Sequence, residues 1–183
     1  MTINKTSKIY FISGVCGVGK SSVLKHLKNL LPTDKYDIRD FDERGVPDGG
    51  GQEWHDGETF LWLDIAKENS KKDKSTIVCG FQNPERFRQL HKKEVHIPAT
   101  LFLLHASADT LRKRLFGRYP TTESILEINR ASGVSLDKFV EDNVSFAPQL
   151  RILFEEENSL VIETDTMTPE EVAKEISKQI LVD

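Results

Sequence analysis

Cysteine is scarce. Two thiols, Cys16 and Cys79, occur in 183 residues, which excludes a disulfide-stapled scaffold. An excess of basic charge is also missing: 25 Lys and Arg stand against 29 Asp and Glu, a net charge of −4. Such a surface is poorly suited to holding long nucleic acid by counterion release, although it leaves room for a local basic patch. No apolar run reaches the roughly 18 residues that a bilayer-crossing helix needs. Met1 to Lys5 carry no apolar core, so no secretory leader is expected. The five histidines show no metal-ligand spacing, and no zinc site is expected. Repeats, low-complexity tracts and long linkers are absent as well. The 38% hydrophobic residues are enough for a core, and the expectation is one domain over 1–183 in a soluble cytoplasmic protein with reduced thiols.

What is present is alternation. Short apolar runs suited to buried strands cover 8–13, 36–40, 76–79, 100–104 and 159–163. Between them, helical spacing marks 22–31, 58–69 and 106–116, and Thr168-Pro169-Glu170-Glu171 opens a last helix with a capping box. The glycine-rich stretch 45–57 reads as loop. Residues 117–156 hold no strand candidate and read as a helical insertion before the fifth strand. Strands alternating with helices imply a five-stranded parallel sheet covered on both faces, a three-layer α/β/α fold.

The sharpest motif is Gly14-Val15-Cys16-Gly17-Val18-Gly19-Lys20-Ser21, which fits G-x-x-x-x-G-K-[ST] between a strand and a helix. Glycines let the backbone curl so that successive N–H groups face a phosphate, and the helix N-terminus adds partial positive charge. Lys20 supplies a point charge to the β and γ phosphates. Ser21 offers a hydroxyl to Mg²⁺, a hard ion that prefers oxygen. Gly14 to Ser22 are therefore the nucleotide-binding candidates, with ATP and Mg²⁺ as cofactors. Asp42-Glu43-Arg44-Gly45 fits the D-x-x-G of GTPases, but no guanine-reading N-K-x-D accompanies it. The third strand ends Val78-Cys79-Gly80, where a metal-directing aspartate would be expected.

Phosphoryl transfer needs an in-line acceptor, a metal, and positive charge around the moving group. Asp40 and Asp42 alternate at the end of a strand, so both point to one side. One can accept the acceptor's proton while the other orients water on Mg²⁺. Asp42 is the preferred base and Asp40 the metal-side candidate. Arg114 and Arg118 lie four apart on one helix face, where both can reach phosphate. Arg86 and Arg88 are candidates to hold an anionic group on the acceptor. Gly49-Gly50-Gly51 gives that side freedom to close, and Trp54, Phe60 and Trp62 offer either an aromatic wall or core packing.

These residues resemble the nucleoside monophosphate kinase group, which includes adenylate, shikimate and gluconate kinases. Arg114-Leu115-Phe116-Gly117-Arg118 resembles the R-x-x-G-R with which adenylate kinases enter their lid, and Arg130 is a further candidate lid arginine. Cys79-Gly80-Phe81 with Pro84 and Arg86 resembles D-G-F-P-R, with Cys79 in place of the aspartate and extra residues before Pro84. Asp40-Phe41-Asp42 resembles the D-x-D of shikimate kinases, where one carboxylate assists the metal and the other contacts the acceptor hydroxyl. The resemblance implies strand order 2-3-1-4-5, a lid over ATP at 117–156, and a donor adenine along Thr164-Asp165-Thr166. It also implies a kinase acting on a small molecule, first a nucleoside monophosphate and second a small hydroxylated metabolite, in a monomer or homodimer. Two rivals remain. One is a regulator that binds ATP without transfer. The other is a kinase of nucleic-acid ends using the basic run 86–93, which the acidic balance disfavours.

Overall fold

The computed structural model describes residues 7–47, 50–94 and 97–182. Met1 to Lys5, Gly49 and His96 lie outside the described residues. Five strands, β1 (Ile9–Ser13), β2 (Tyr36–Asp40), β3 (Ser75–Cys79), β4 (Ala99–His105) and β5 (Leu160–Glu163), form one parallel sheet. Their order is β2-β3-β1-β4-β5, as the kinase resemblance implied. The helices are α1 (Lys20–Leu30), α2 (Gln52–Ser70), α3 (Pro84–Glu94), α4 (Ala108–Arg118), α5 (Thr122–Ser132), α6 (Leu136–Glu156) and α7 (Pro169–Val182).

The strands are apolar because both faces are covered. Every residue of β1 is buried. Side chains alternate across it: Tyr10 and Ile12 pack with Val23, Leu24 and Leu27 of α1 and with Val172 and Ile176 of α7. Ile9 and Phe11 turn the other way, to Trp62 and Leu63 of α2 and Phe87 of α3. Each such fully buried aliphatic side chain contributes about 1.5–3 kcal/mol. The last helix opens as its sequence implied, with the Glu171 carboxylate accepting from the Thr168 amide at 2.7 Å and the Glu171 amide donating to the Thr168 hydroxyl at 3.3 Å.

Three segments differ from expectation. Helix α2 begins at Gln52, not after Gly57, because tertiary partners outweigh glycine's low helix propensity. His55 stacks on Phe41 at 4.8 Å, and Asp56 accepts from Arg86 Nε at 3.1 Å. Residues 84–94 form α3, which had no assignment; the Asn83 side chain accepts from the Arg86 amide at 2.9 Å, ahead of Pro84 in the first turn. Its buried apolar side chains are few, chiefly Phe87 and Leu90, too few to announce a helix in sequence. The interval 117–156 is helical, but α6 belongs to the body: Val140, Leu150 and Phe154 are fully buried in the main core. Helix α5, by contrast, buries none of its residues.

Candidate active site

At the carboxyl end of β1 the chain turns into α1 through residues 14–19. Gly14, Gly17 and Gly19 all take positive φ. Gly19, at φ +104°, caps α1 and has open space where a Cβ would stand, so backbone conformation alone calls for glycine there. The Lys20 ammonium donates to the carbonyls of Gly14 and Val15 at 2.6 and 2.9 Å, which folds the side chain back across the loop. Burial pushes its pKa below the usual lysine range, against the pull of Cys16, Cys79, Asp42 and Asp40. Ser21 and Ser22 are exposed in the first turn of α1. The Cys16 amide donates to Asn143 Oδ1 of α6 at 2.9 Å, so α6 touches the loop directly.

The acidic side is built by the register of β2 beside β3, which pairs Asp40 with Cys79. The Phe41 amide donates to the Cys79 carbonyl at 2.8 Å, and the Asp42 amide donates to Asp40 Oδ1 at 3.0 Å. Phe41, 1% exposed, is the anchor of this turn. A Cβ on Gly80 would lie 2.1 Å from Phe41 Cβ, so glycine is needed here for close approach. Asp42 reaches solvent, yet partial desolvation and then the neighbouring Asp40 carboxylate raise its pKa above the usual aspartate range; Lys20 and His55 oppose this. The Cys79 thiol, where an aspartate was expected, is pushed by burial to about 12 and stays protonated. The donors here that suit a hard cation are oxygen: the Ser21 hydroxyl on the loop and the Asp40 carboxylate, which acts on Lys20. That set fits Mg²⁺ held mainly by phosphate and water, and the neutral thiol of Cys79 does not compete. Among the described residues no cluster of three His, Cys, Asp or Glu makes a metal cage.

Opposite the carboxylates, aromatic rings continue from Phe41. His55 lies 5.7 Å from Phe81, and Phe81 lies 6.0 Å from Phe146 of α6. Trp54 meets Phe41 edge-on at 6.0 Å. Trp62 is core, with its Nε1 donating to the Phe41 carbonyl at 3.3 Å, while Phe60 is half-buried. A buried polar chain supports this wall. The Gln82 amide donates to the Ser13 hydroxyl at 2.8 Å, and Gln82 Nε2 donates to Thr59 Oγ1 at 3.0 Å. In turn the Thr59 hydroxyl donates to the His55 carbonyl at 2.8 Å. Sequence reasoning missed Gln82, Thr59, His55 and Asn143. Nothing in an isolated Gln or Asn signals burial, and only the fold brings these four to the loop and the turn.

Arg86 does not stand open to an acceptor anion. Its Nε donates to both Asp56 oxygens at 3.1 Å, Nη2 closes on the same carboxylate, and Nη1 donates to Gln89 at 3.2 Å. This Arg86 hydrogen bond is the main reason the Asp56 pKa lies below the usual aspartate range. Arg88 pairs with Glu157, so neither arginine of the basic run 86–93 presents an open cation. Both arginines are paired for the same reason: helix α3, unrecognised in the sequence, turns them toward acids on α2 and after α6.

On the donor side Arg114 and Arg118 part company. Arg114 Nη2 donates to the Thr164 carbonyl at 2.6 Å, and Nη1 donates to Thr164 Oγ1 at 2.9 Å and to the Val18 carbonyl at 3.4 Å. It therefore clamps the loop after β5 to the phosphate loop. Arg118 is exposed, its guanidinium 5.6 Å from the Tyr119 ring. Arg112, two residues before Arg114, pairs instead with Glu141 of α6 at 2.7 Å. Asp165 accepts from the Ser107 amide at 3.1 Å and from Thr110 Oγ1 at 2.6 Å, and Ser107 is the chief cause of its lowered pKa. Thr166 is exposed in the same turn, and Arg130 is exposed at the end of α5.

No protein-family model matches the chain, and no curated protein is similar to it in sequence. Solved structures are similar in fold. Shikimate kinase from Acinetobacter baumannii in complex with shikimate superposes with a TM-score of 0.57 at 17% identity, covering 97% of this chain and 94% of that one. Thymidylate kinase from Candida albicans gives 0.57 at 14% identity over 97% and 92%. Shikimate kinase from Aquifex aeolicus gives 0.51 at 16% identity over 95% and 96%. The chain has the P-loop fold of nucleoside monophosphate kinase-like proteins.

Proposed function

We propose that this protein is an ATP-dependent phosphotransferase acting on a small-molecule acceptor. The observation that carries the reading is one juxtaposition. The Lys20 ammonium, at the phosphate loop, and the Asp42 carboxylate, at the end of β2, act on each other electrostatically across the mouth of the sheet. Open parallel sheets take ligands at this end of the strands. The loop amides and Lys20 bind the β and γ phosphates. Ser21 and Asp40 hold Mg²⁺, which neutralises phosphate charge when bound. Asp42, its pKa raised toward a useful range, takes the proton of the acceptor hydroxyl. Arg114 shapes the purine side through Thr164, and the exposed Arg118 remains the candidate to meet the transferring phosphoryl group.

A small hydroxylated acceptor is favoured over a nucleoside monophosphate, because Asp56 already neutralises Arg86. The test is calorimetry with Mg-ATP followed by ADP release against an acceptor panel. Binding and acceptor-dependent ADP release are expected. Tight ATP binding with no acceptor-dependent release, and no change on Asp42→Asn, would instead establish the non-transferring regulator. Salt-sensitive oligonucleotide phosphorylation would establish the nucleic-acid reading.

A further inference from the structure

The acceptor side of the site contains a buried charge that the phosphate chemistry does not use. Glu58 of α2 is 9% exposed, and its Oε1 accepts no hydrogen bond. The cation facing it, Arg44, brings Nε only to 3.6 Å, beyond hydrogen-bonding distance, and is itself 57% exposed. A buried carboxylate oxygen without a donor is costly. Arg44 ends the turn that begins at Asp40, so Glu58 faces the same turn as Asp42. One helical turn earlier on α2, His55 opens the ring series through Phe81, itself 36% exposed, to Phe146.

Most charges around this turn are already paired: Arg39 with Asp37 and Glu43, and Arg86 with Asp56. What remains is Asp40 and Asp42, which face Lys20, and the buried Glu58, which has only the loose, largely exposed Arg44 beside it. A phosphate or carboxylate placed here would meet carboxylates, whereas an ammonium would meet the missing donor requirement of Glu58. Aromatic faces suit a cation or a flat ring equally well.

We propose that Glu58 is an acceptor-recognition residue, and that the acceptor is a hydroxylated molecule bearing an amine and no phosphate or carboxylate. The amine donates to Glu58 Oε1, displacing the loose Arg44 contact, while a ring or alkyl face lies on His55 and Phe81. This rests on the phosphotransferase reading and names its substrate class.

The test uses matched probes: serinol against glycerate, and streptamine against shikimate. Binding is read from tryptophan fluorescence, because Trp54 lies in the wall, and transfer from ADP release with Mg-ATP. The amine members are expected to bind and turn over with kcat/KM at least tenfold above their anionic partners. Glu58→Gln, which keeps shape and packing, is expected to lower that preference tenfold or more, to leave ATP affinity unchanged and not to lower Tm. Preference for the anionic members, no binding by any probe, or an unchanged preference in Glu58→Gln overturns the proposal. Amine binding without ADP release would instead count against the phosphotransferase reading and leave the recognition role standing.

Discussion

Replacing Gly80 by alanine tests whether the carboxylate turn is positioned by packing. Gly80 does not need a left-handed backbone; what it needs is space. The new Cβ would lie 2.1 Å from Phe41 Cβ and 2.8 Å from its Cγ. Both are far inside van der Waals contact, and Phe41 is almost wholly buried between α2 and the sheet. Overpacking of this kind costs about 1–3 kcal/mol. For a domain of this length that lowers Tm by about 2–4 °C per kcal/mol, so a loss of roughly 4–8 °C is expected for a mid-range cost. Because Phe41 lies between Asp40 and Asp42, kcat should fall about tenfold or more while ATP affinity, set on the other side of β1, changes little. Phe41→Ala keeps its Cβ and so should not rescue the double variant. Gly19→Ala is the contrast. Its Cβ meets nothing within 4 Å, so only the φ of +104° resists, at about 1–2 kcal/mol, and the loss should appear in ATP affinity. Thermal unfolding with ATP titration of both variants decides. A Gly80→Ala protein with wild-type Tm and turnover, or one rescued by Phe41→Ala, would refute the packing argument.

Two further outcomes follow from the site. As the proposed base Asp42 must be ionised, and its pKa is raised by desolvation and by Asp40, so kcat/KM should fall as pH drops through a value above the ordinary aspartate range. Asp40→Asn should move that acid limb to lower pH; a limb at or below the ordinary value in the wild type would refute the assignment. Asn143→Ala removes the acceptor for the Cys16 amide, and loss of one such bond, about 0.5–1.5 kcal/mol, should weaken ATP binding roughly two- to tenfold by calorimetry, with no change in acceptor KM.

The phosphate loop and the alternation of strands and helices were legible in the chain, because both are local. A tight glycine turn before Lys20 and an apolar run before it need only neighbours in sequence to be recognised. Asp40 and Asp42 were singled out for the same reason, two carboxylates alternating at the end of a strand. What stayed hidden depends on distant partners. Gln52 to Gly57 became helix because Phe41 and Arg86 supply contacts for it, and α3 formed from few buried apolar side chains. Arg86 reads as a free cation until Asp56, 30 residues away, is seen to hold it. Glu58 reads as an ordinary helix-surface acid until burial leaves one oxygen without a donor. Backbone conformation and periodicity are written in adjacent residues, so the sequence alone determined the phosphate-binding turn and the strand–helix alternation of the fold. Which charges are already satisfied is set by side chains that meet only when the sheet closes, so the tertiary structure alone decided that Arg86 and Arg88 are paired and that an oxygen of the buried Glu58 is not.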